Sequence, residues 1–354
     1  MFTLILRSFN NPSADLRGRI AGIYTLLGIA NIGVWAWAFY VFHRQPVLLG
    51  TALLAYGFGL RHAVDADHVA AIDNVTRKLM QEGGRPVSIG CFFALGHSTV
   101  VLLATVGIAA TATALSSRFD AFKTVGGVVG TTVSTLFLLV IAAMNVAILI
   151  GIWRTFRHVR RGGAFAEDDF DLLLNSRGLL ARMFRPVFRL VGSAWHMFPI
   201  GFLFGLGFDT ATEVALLGIS ATQATQGMSI WSIMVFPALF AAGMSLIDTT
   251  DGVLMLGAYN WAFVKPIRKL YYNLIITAVS VVVAVVIGGI EGLGLIGDQF
   301  GLSGGFWDGV SRLNDNFNGL GFFIIGIFIL TWIGSVIIYR YARFDDLKTK
   351  ISKS

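Results

Sequence analysis

Long runs of apolar residues, separated by short polar segments, recur along most of this chain. A helix that crosses a bilayer needs about 20 consecutive, mostly apolar residues. Eight runs meet this requirement, so the pattern predicts an all-α polytopic membrane protein with eight transmembrane helices. The predicted spans are 20–42, 47–72, 87–113, 124–153, 198–220, 230–258, 271–290 and 319–339. The polar segment 291–318 is predicted to be an extracytoplasmic loop.

Composition agrees with this interpretation. Of the 354 residues, 55% are hydrophobic and only 13% are charged, whereas a soluble domain carries about 25% charged residues. The net charge is +7, and a positive net charge is also typical of nucleic-acid-binding proteins. Here, however, the basic residues stand in particular loops between the apolar runs, which is a signal of membrane topology. The sequence therefore predicts a lipid bilayer, and no nucleic acid, as the partner of this chain.

The basic residues also predict the orientation of the chain. Cytoplasmic loops carry an excess of Lys and Arg, and most of the 27 basic residues lie on one side if both termini are cytoplasmic. We expect a single integral membrane domain over 1–354. It divides into a first four-span half at 20–153, a cytoplasmic loop at 154–197, a second four-span half at 198–339 and a cytoplasmic tail at 340–354.

Short similarities relate the two halves. The stretch 65–70 of the second span is similar to 209–215 of the fifth, and 96–99 of the third span is similar to 248–251 of the sixth. Matching spans 2–4 with spans 5–7 relates units of three helices that run in opposite senses. Inverted repeats of this kind are a common design of transporters, and the similarity favours one here.

The second span contains an unusual density of ionisable residues. Residues 61–68 read Arg-His-Ala-Val-Asp-Ala-Asp-His, which places two imidazoles and two carboxylates in an apolar run. Ionisable groups at membrane depth cost at least about 2.5 kcal/mol each and usually mark an ion or substrate path. Imidazole with carboxylate is a ligand set that suits divalent transition metals. The pattern predicts a site for a metal cation within the bilayer.

Helical geometry leaves the role of one carboxylate open. On a straight helix His62, Asp65 and His68 fall within one arc of about 120°. Asp67 points elsewhere, about 140° away from His62. Either the helix is interrupted, which the glycines just before the motif would permit, or Asp67 holds an imidazole from behind the metal.

Other polar residues of the spans are further candidates. Arg61 is expected to be a structural counter-charge to one of the carboxylates, since an unpaired buried charge is very costly. His97 of the third span is expected to be a metal ligand, because a cluster of metal-binding type already exists one span away. Asn31 of the first span is a candidate amide ligand or, equally, a residue that bonds helices together.

Two pairs of carboxylates occur in the second half. Asp209 and Glu213 are spaced i,i+4 in the fifth span, and Asp248 and Asp251 are spaced i,i+3 in the sixth. Each pair lies on one helix face and suits a cation route or a proton relay. The alternative is capping, or bonding between helices through the neighbouring threonines. The chain contains no ATP-binding motif of the phosphate-loop type, so we do not expect it to hydrolyse ATP directly.

These motifs resemble the nickel/cobalt transporter family, and most closely the high-affinity nickel permeases of proteobacteria. The resemblance rests on the spacing of His62, Asp67 and His68 in the second span. It also rests on further blocks in the second, third, fifth and sixth spans, which follow one another in the expected order. These blocks are 59–62, 70–78, 95–100, 206–213 and 243–252.

The resemblance implies a multi-pass permease of the bacterial inner membrane that takes up Ni²⁺, and sometimes Co²⁺, by secondary transport. The metal is then the substrate, and no cofactor or enzymatic activity is expected. The resemblance also implies that His62, Asp67 and His68 are essential to transport. Residues around Asn31 and Val64 are implied to bear on the choice between nickel and cobalt.

Two other interpretations are left open by the sequence. A metal exporter would have the same spans, but related exporters tend to carry a His-rich loop, and 154–197 contains only His158 and His196. That difference favours import. An intramembrane metalloenzyme is the second alternative. The His-Glu-x-x-His motif of zinc proteases is absent, and six histidines are few for a His-rich di-iron site.

Overall fold

Helices make up almost all of the chain that the structure, a computed structural model, describes. In a bilayer each backbone N–H and C=O must find its partner inside the segment, which a helix provides for an apolar run. The described residues are 16–111, 116–160, 191–206, 211–262 and 266–341. In chain order the helices are α1 (Leu16–Phe42), α2 (Pro46–His62), α3 (Ala66–Gln81), α4 (Ile89–Thr111), α5 (Ser116–Arg160), α6 (Met197–Gly205), α7 (Ala211–Thr225), α8 (Ile230–Ile233), α9 (Val235–Ala262), α10 (Pro266–Phe300), α11 (Gly305–Asp315) and α12 (Phe317–Tyr341).

Several of these helices can cross a membrane. Within the described residues, five segments are long and apolar enough by themselves: Leu16–Phe42, Ile89–Ala109, Gly127–Arg154, Ile230–Gly257 and Leu274–Phe300. The number rises to seven if two bent pairs each form one span. These pairs are α2 with α3, bent by 52°, and α11 with α12, bent by 75°. The prediction of an all-α, multi-pass membrane protein agrees with this architecture.

The predicted fifth span accounts for the difference between these seven spans and the eight that the sequence predicts. It covers 198–220, which corresponds to α6 and α7, and residues 207–210 between them lie outside the described part of the chain. Neither α6 nor α7 alone is long enough to cross a bilayer. The count of eight spans and the cytoplasmic location of both termini therefore stay predictions.

The segment 291–318 differs from its prediction as a loop. Helix α10 continues to Phe300, and α11 occupies Gly305–Asp315. The scattered Asp and Gly residues are typical of a loop, but Leu293, Ile296 and Phe300 recur at helical spacing and form an exposed apolar stripe. That periodicity decides the local structure, so most of the segment is helical rather than a loop, and its extracytoplasmic location stays a prediction. Helix α5 likewise runs past its predicted end at 153.

The second span is interrupted inside its own polar motif. Helix α2 has Pro46 in its first turn, where its missing N–H leaves no bond unmade, and the helix ends at His62. Helix α3 begins after Asp65, whose extended backbone (φ −64°, ψ 146°) occupies the N-cap position. Between them the Val64 N–H donates to the Arg61 carbonyl at 3.1 Å. The helix is thus interrupted, as the first of the two alternatives for this motif requires, and the role of Asp67 stays a prediction.

Glycines allow the central helices to approach closely. Helix α9 packs against α1, α2, α3 and α4. A Cβ at Gly59 of α2 would overlap the backbone carbonyl of Phe240 in α9, and a Cβ at Gly243 of α9 would lie 2.8 Å from the carbonyl of Tyr56 in α2. Small residues at such contacts are the usual means of helix packing in membranes. The position of α2, and of the motif at its end, is therefore fixed by α9.

A similar contact joins α4 and α6. A Cβ at Gly96 of α4 would overlap the carbonyl of Phe198 in α6, and a Cβ at Gly201 of α6 would overlap the carbonyl of Phe93 in α4. Helix α2 thus packs on α9, while α6 packs on α4, and α4 and α9 contact each other. The first helix of the second span, α2, therefore packs on the sixth span, and the first helix of the predicted fifth span, α6, packs on the third span.

The close approach of α2 and α9 predicts the effect of adding one methyl group. We expect Gly59→Ala to lower the thermal unfolding midpoint of the purified protein in detergent, because overpacking a tight contact costs about 1–3 kcal/mol. Gly57→Ala is the matched control on the same helix, since a Cβ there meets nothing within 4 Å. Equal midpoints for the two variants would contradict the packing described here.

Candidate metal centre

The interruption of the second span brings His62 and His68 together. On a straight helix their Cα atoms would be separated by about 9 Å along the axis. In the structure their ring centroids are 4.7 Å apart. This is because His62 ends α2, while His68 lies in the first turn of α3, which is bent away by 52°. Both side chains are buried, at 2% and 0% exposure.

His97 of α4 completes a triangle of imidazoles. Its ring centroid lies 4.7 Å from that of His62 and 4.9 Å from that of His68, and the side chain is buried. One ring nitrogen from each of the three histidines lies within 4.8 Å of the other two. The structure thus brings together the two histidines of the motif and the third one that the sequence suggested.

Asp65 orients the first imidazole. Its Oδ2 atom lies 2.9 Å from Nδ1 of His62, and both residues are buried. The Nδ1–H group therefore donates to the carboxylate, which leaves the lone pair of Nε2 free to face the other histidines. A carboxylate behind an imidazole is the usual arrangement around metal-binding histidines, because it fixes the tautomer and raises the basicity of the ligand.

Glu213 of α7 places a carboxylate beside the triangle. Its Oε1 atom lies 2.8 Å from Nε2 of His97 and 3.9 Å from Nε2 of His62. The two Nε2 atoms are themselves 2.9 Å apart. Atoms of these types at such short distances are hydrogen-bonded, so a proton lies among the three. A cation that replaced this proton would meet two nitrogens and one oxygen at once.

His68 contributes a nitrogen that has no partner. Its Nδ1 atom lies 3.4 Å from the carboxylate of Asp248 on α9, while its Nε2 atom is buried and has no hydrogen-bond partner among the described residues. An unsatisfied buried polar atom costs about 1–3 kcal/mol. Such an atom in a protein interior calls for an explanation, and a metal ion bound by Nε2 would provide one.

The dimensions of the cluster suit a transition-metal ion after a small contraction. A zinc-like ion lies about 2.1 Å from each imidazole nitrogen, so two ligands on opposite sides of it are at most about 4.2 Å apart. The nitrogens of the three histidines are within 4.8 Å, and side-chain rotations suffice to close the difference. Three imidazoles with a carboxylate oxygen form a donor set that suits Ni²⁺, Co²⁺ and Zn²⁺.

Three other residues of the motif lie near this cluster. Asp67 is partly buried in the first turn of α3, and its negative charge acts on both His62 and His68. Val64 is buried in the interruption itself. Arg61 is exposed, so the argument from a buried charge does not apply to it, and its role as a counter-charge stays a prediction.

Asn31 lies in a separate contact between helices. Its amide nitrogen donates to the carbonyl of Leu27 at 2.8 Å and to that of Ala242 at 3.4 Å, and its Oδ1 atom accepts a hydrogen bond from Tyr56 at 3.0 Å. The amide thus links α1 to α2 and α9. Of the two interpretations of Asn31, this geometry favours the one in which it bonds helices together.

The three described carboxylates of the fifth and sixth spans lie at different positions relative to the histidines. Glu213 lies at the histidines, and Asp248 lies behind His68. Asp251 is one turn further along α9, and its Oδ2 atom is buried with no hydrogen-bond partner among the described residues. Asp209 falls within 207–210, outside the described part of the chain.

The structure adds three neighbours that spacing could not identify. The Thr212 hydroxyl lies 3.4 Å from Nδ1 of His62. The ring of Phe240 packs on His62 with centroids 5.5 Å apart, and that of Phe93 packs on His68 at 4.8 Å. These apolar rings keep water away from the imidazoles. Phe residues are so frequent in this chain that the sequence carried no signal for these two.

Comparisons with known proteins agree with the motifs. A family model described as high-affinity nickel-transport protein matches residues 48–338. The chain is 59% identical over 350 residues to the high-affinity nickel transport protein of Cupriavidus necator, covering 99% of this chain and 100% of that protein. No solved structure matches the chain.

Two more distant relatives carry other names. The chain is 56% identical over 341 residues to the hydrogenase nickel incorporation protein HupN of Bradyrhizobium diazoefficiens, covering 95% of this chain and 89% of that protein. It is 40% identical over 295 residues to the cobalt transport protein NhlF of Rhodococcus rhodochrous, covering 82% of each. With a family match across most of its length and relatives aligned from end to end, this chain belongs to the NicO family of high-affinity nickel-transport proteins.

Proposed function

We propose that this chain imports Ni²⁺ across the bacterial inner membrane by secondary transport, and that His62, His68 and His97 hold the ion on its way. The observation that carries the proposal is the buried triangle of imidazoles with ring nitrogens within 4.8 Å. The names of the relatives support nickel as the substrate. They also support a transporter over an enzyme.

Charge balance explains why carboxylates accompany the imidazoles. A dication that leaves water for a buried site loses a large hydration energy, which opposite charges must offset. Asp65 and Glu213 lie on opposite sides of His62 and His97 and together supply two negative charges. The occupied site is then close to neutral, with Asp67 as a further negative group near its edge.

The helix ends at the site suit a position near the middle of the membrane. Transporter sites are commonly formed where spans are interrupted. Here α2 ends and α3 begins at the histidines, and α7 begins beside them with Glu213 in its first turn. The positive ends of the α3 and α7 dipoles favour the ionised forms of Asp67 and Glu213. In this proposal, small rotations of these short helices expose the ion to either side.

A path for the ion leads from the histidines along α9. Asp248 lies behind His68, and Asp251 follows one turn later with a buried, unpartnered oxygen. Asp73 of α3 is buried and accepts a hydrogen bond from Ser280 of α10 at 2.7 Å. We propose that Asp248 and Asp251 guide the ion towards the cytoplasm, and that Asp209 belongs to the same path.

The proposed topology has eight spans, cytoplasmic termini and an inverted repeat of spans 2–4 and 5–7. The support is the reciprocal packing of α2 on α9 and of α6 on α4, which such a repeat would produce. Cobalt is proposed as a second substrate, because a relative 40% identical to this chain is named a cobalt transport protein. In this proposal, Asn31 influences the preference between nickel and cobalt indirectly, through the positions of α2 and α9.

The direction of transport is tested by expressing the protein in bacteria that lack their own nickel uptake. Import predicts more cell-associated nickel and growth inhibition at lower external Ni²⁺, whereas a gain in nickel resistance would show efflux instead. An excess of Co²⁺ should compete more weakly than an excess of unlabelled Ni²⁺, because affinity for nitrogen and oxygen donors rises from cobalt to nickel. Cells that express His68→Ala serve as the negative control.

Loss of one imidazole should abolish most uptake. Removal of a group that merely supports a metal ligand costs about 10- to 100-fold in affinity or activity, so we expect His68→Ala to reduce uptake of radioactive nickel by about 100-fold or more. His43→Ala is the matched control, because His43 is exposed and its ring contacts the carbonyl of Tyr40. Undiminished uptake by His68→Ala would refute its role as a ligand.

Neutralising Glu213 should weaken binding without altering the shape of the site. Glu213→Gln removes one of two charges that compensate the dication, and loss of one partner of a buried charge pair costs about 2 kcal/mol or more. That corresponds to a rise in KM for nickel of about 30-fold. Glu82→Gln is the control, since the side chain of Glu82 is 41% exposed at the end of α3. An unchanged KM for Glu213→Gln would exclude this carboxylate from the site.

A further inference from the structure

We propose that Gly321 of α12 is a positioning residue that fixes the interruption of the second span and so sets the geometry of the metal site. Gly321 lies outside every motif that the sequence analysis singled out and is far from the histidines in sequence. The inference rests on the proposed function, and it assigns to the last span a part in metal binding.

The backbone at the interruption points directly at Gly321. A Cβ at this position would overlap the carbonyl oxygen of Val64 and would lie 3.3 Å from the backbone nitrogen of Ala66. All of these neighbours are backbone atoms, so no side chain can rotate away to make room. Gly321 itself is buried. The last residue before the N-cap of α3 is thus held against the bare backbone of α12.

Helix α12 cannot easily retreat from this contact. Ile324 and Phe328 follow Gly321 at helical spacing, and both are buried in one core cluster with Ala66 and Val69 of α3. Partly buried residues on the same side of α12 pack against this cluster as well: Phe317, Leu320 and Ile325. A bulkier residue at 321 would therefore displace the segment around Val64 rather than move the whole helix.

A displacement there would reach the ligands at once. Val64 lies between His62 and Asp65, and the Asp65 N–H donates to the His62 carbonyl at 2.9 Å. The carboxylate of Asp65 holds Nδ1 of His62 at 2.9 Å, and His68 is in the first turn of the helix that begins here. Functional groups must be held within about 0.5 Å of their working geometry, and a 1 Å error can cost about 100-fold.

Other glycines of α12 provide the comparison. A Cβ at Gly326, on the same helix, meets nothing within 4 Å, so Ala at 326 adds one methyl group to α12 without touching the interruption. Alanine is also the better helix former. Gly321→Ala and Gly326→Ala thus make the same chemical change on one helix, and only the first alters the contact with Val64.

The experiment measures nickel uptake, and its competition by Co²⁺, for both variants, normalised to the amount of protein in the membrane. Gly321→Ala should raise KM for nickel about tenfold and change the excess of Co²⁺ needed for half-inhibition, while Gly326→Ala should match the wild type in both. If Gly321→Ala lowers only the amount of protein, with KM and cobalt competition unchanged, its role is merely structural and the inference is overturned.

A second variant covers the case in which Gly321→Ala does not reach the membrane. Ile324→Ala keeps the glycine but loosens α12 against α3, so the interruption loses its support, and KM for nickel should again rise. Wild-type KM and cobalt competition in Ile324→Ala would overturn the inference. A wild-type protein that takes up no nickel would instead refute the proposed function, and the inference with it.

Discussion

The interruption of the second span at residues 63–65 is the constraint on which the rest of the site depends. An uninterrupted helix would keep the Cα atoms of His62 and His68 about 9 Å apart along its axis and about 120° apart around it, so their rings would point to different sides. In the structure the helix is interrupted and bent by 52°, and the ring centroids are 4.7 Å apart. The interruption also creates a helix start, at which Asp65 bonds His62 and Asp67 faces the positive end of the α3 dipole. One local departure from helical structure thus brings the two imidazoles together and sets their charge environment.

The other polar residues of the candidate site reach this point through helix packing. Helix α4 carries His97, α7 carries Glu213 and α9 carries Asp248, and each is brought to the histidines by a different part of the chain. Each imidazole is bonded to, or lies close to, a carboxylate, so a dication can be held without an uncompensated charge. Nε2 of His68 and Nδ1 of His97 are buried and have no hydrogen-bond partners among the described residues. A metal ion bound by one of these nitrogens would satisfy it.

The sequence predicted the chemistry of the site better than its geometry. His62, His68 and His97 stand out because ionisable residues are rare in apolar spans, and the structure brings all three together. The straight-helix argument correctly placed His62, Asp65 and His68 near one another. It assumed, however, that the helix continues through the motif, whereas the helix is interrupted there. Glu213 could be predicted only as part of an ion path, since its contact with His97 spans 116 positions. The polarity of Asn31 was compatible with a ligand or with a bond between helices, and the hydrogen bonds of its amide with Tyr56 and two carbonyls favour the second. In the fold, the apolar periodicity of 291–300 was hidden by isolated charges.

Rigid and movable parts of the molecule follow from the same residue types. Gly59 and Gly243 allow close backbone contact between α2 and α9, and Gly96 and Gly201 allow it between α4 and α6. Helices α3 and α7 begin at the candidate site, and residues 63–65 before α3 are not helical. A transporter needs a site that keeps its ligands while its access changes. In the proposed mechanism the helix pairs α2–α9 and α4–α6 stay in contact while α3 and α7 rotate about their starts, so that His97 and the end of α2 stay in place.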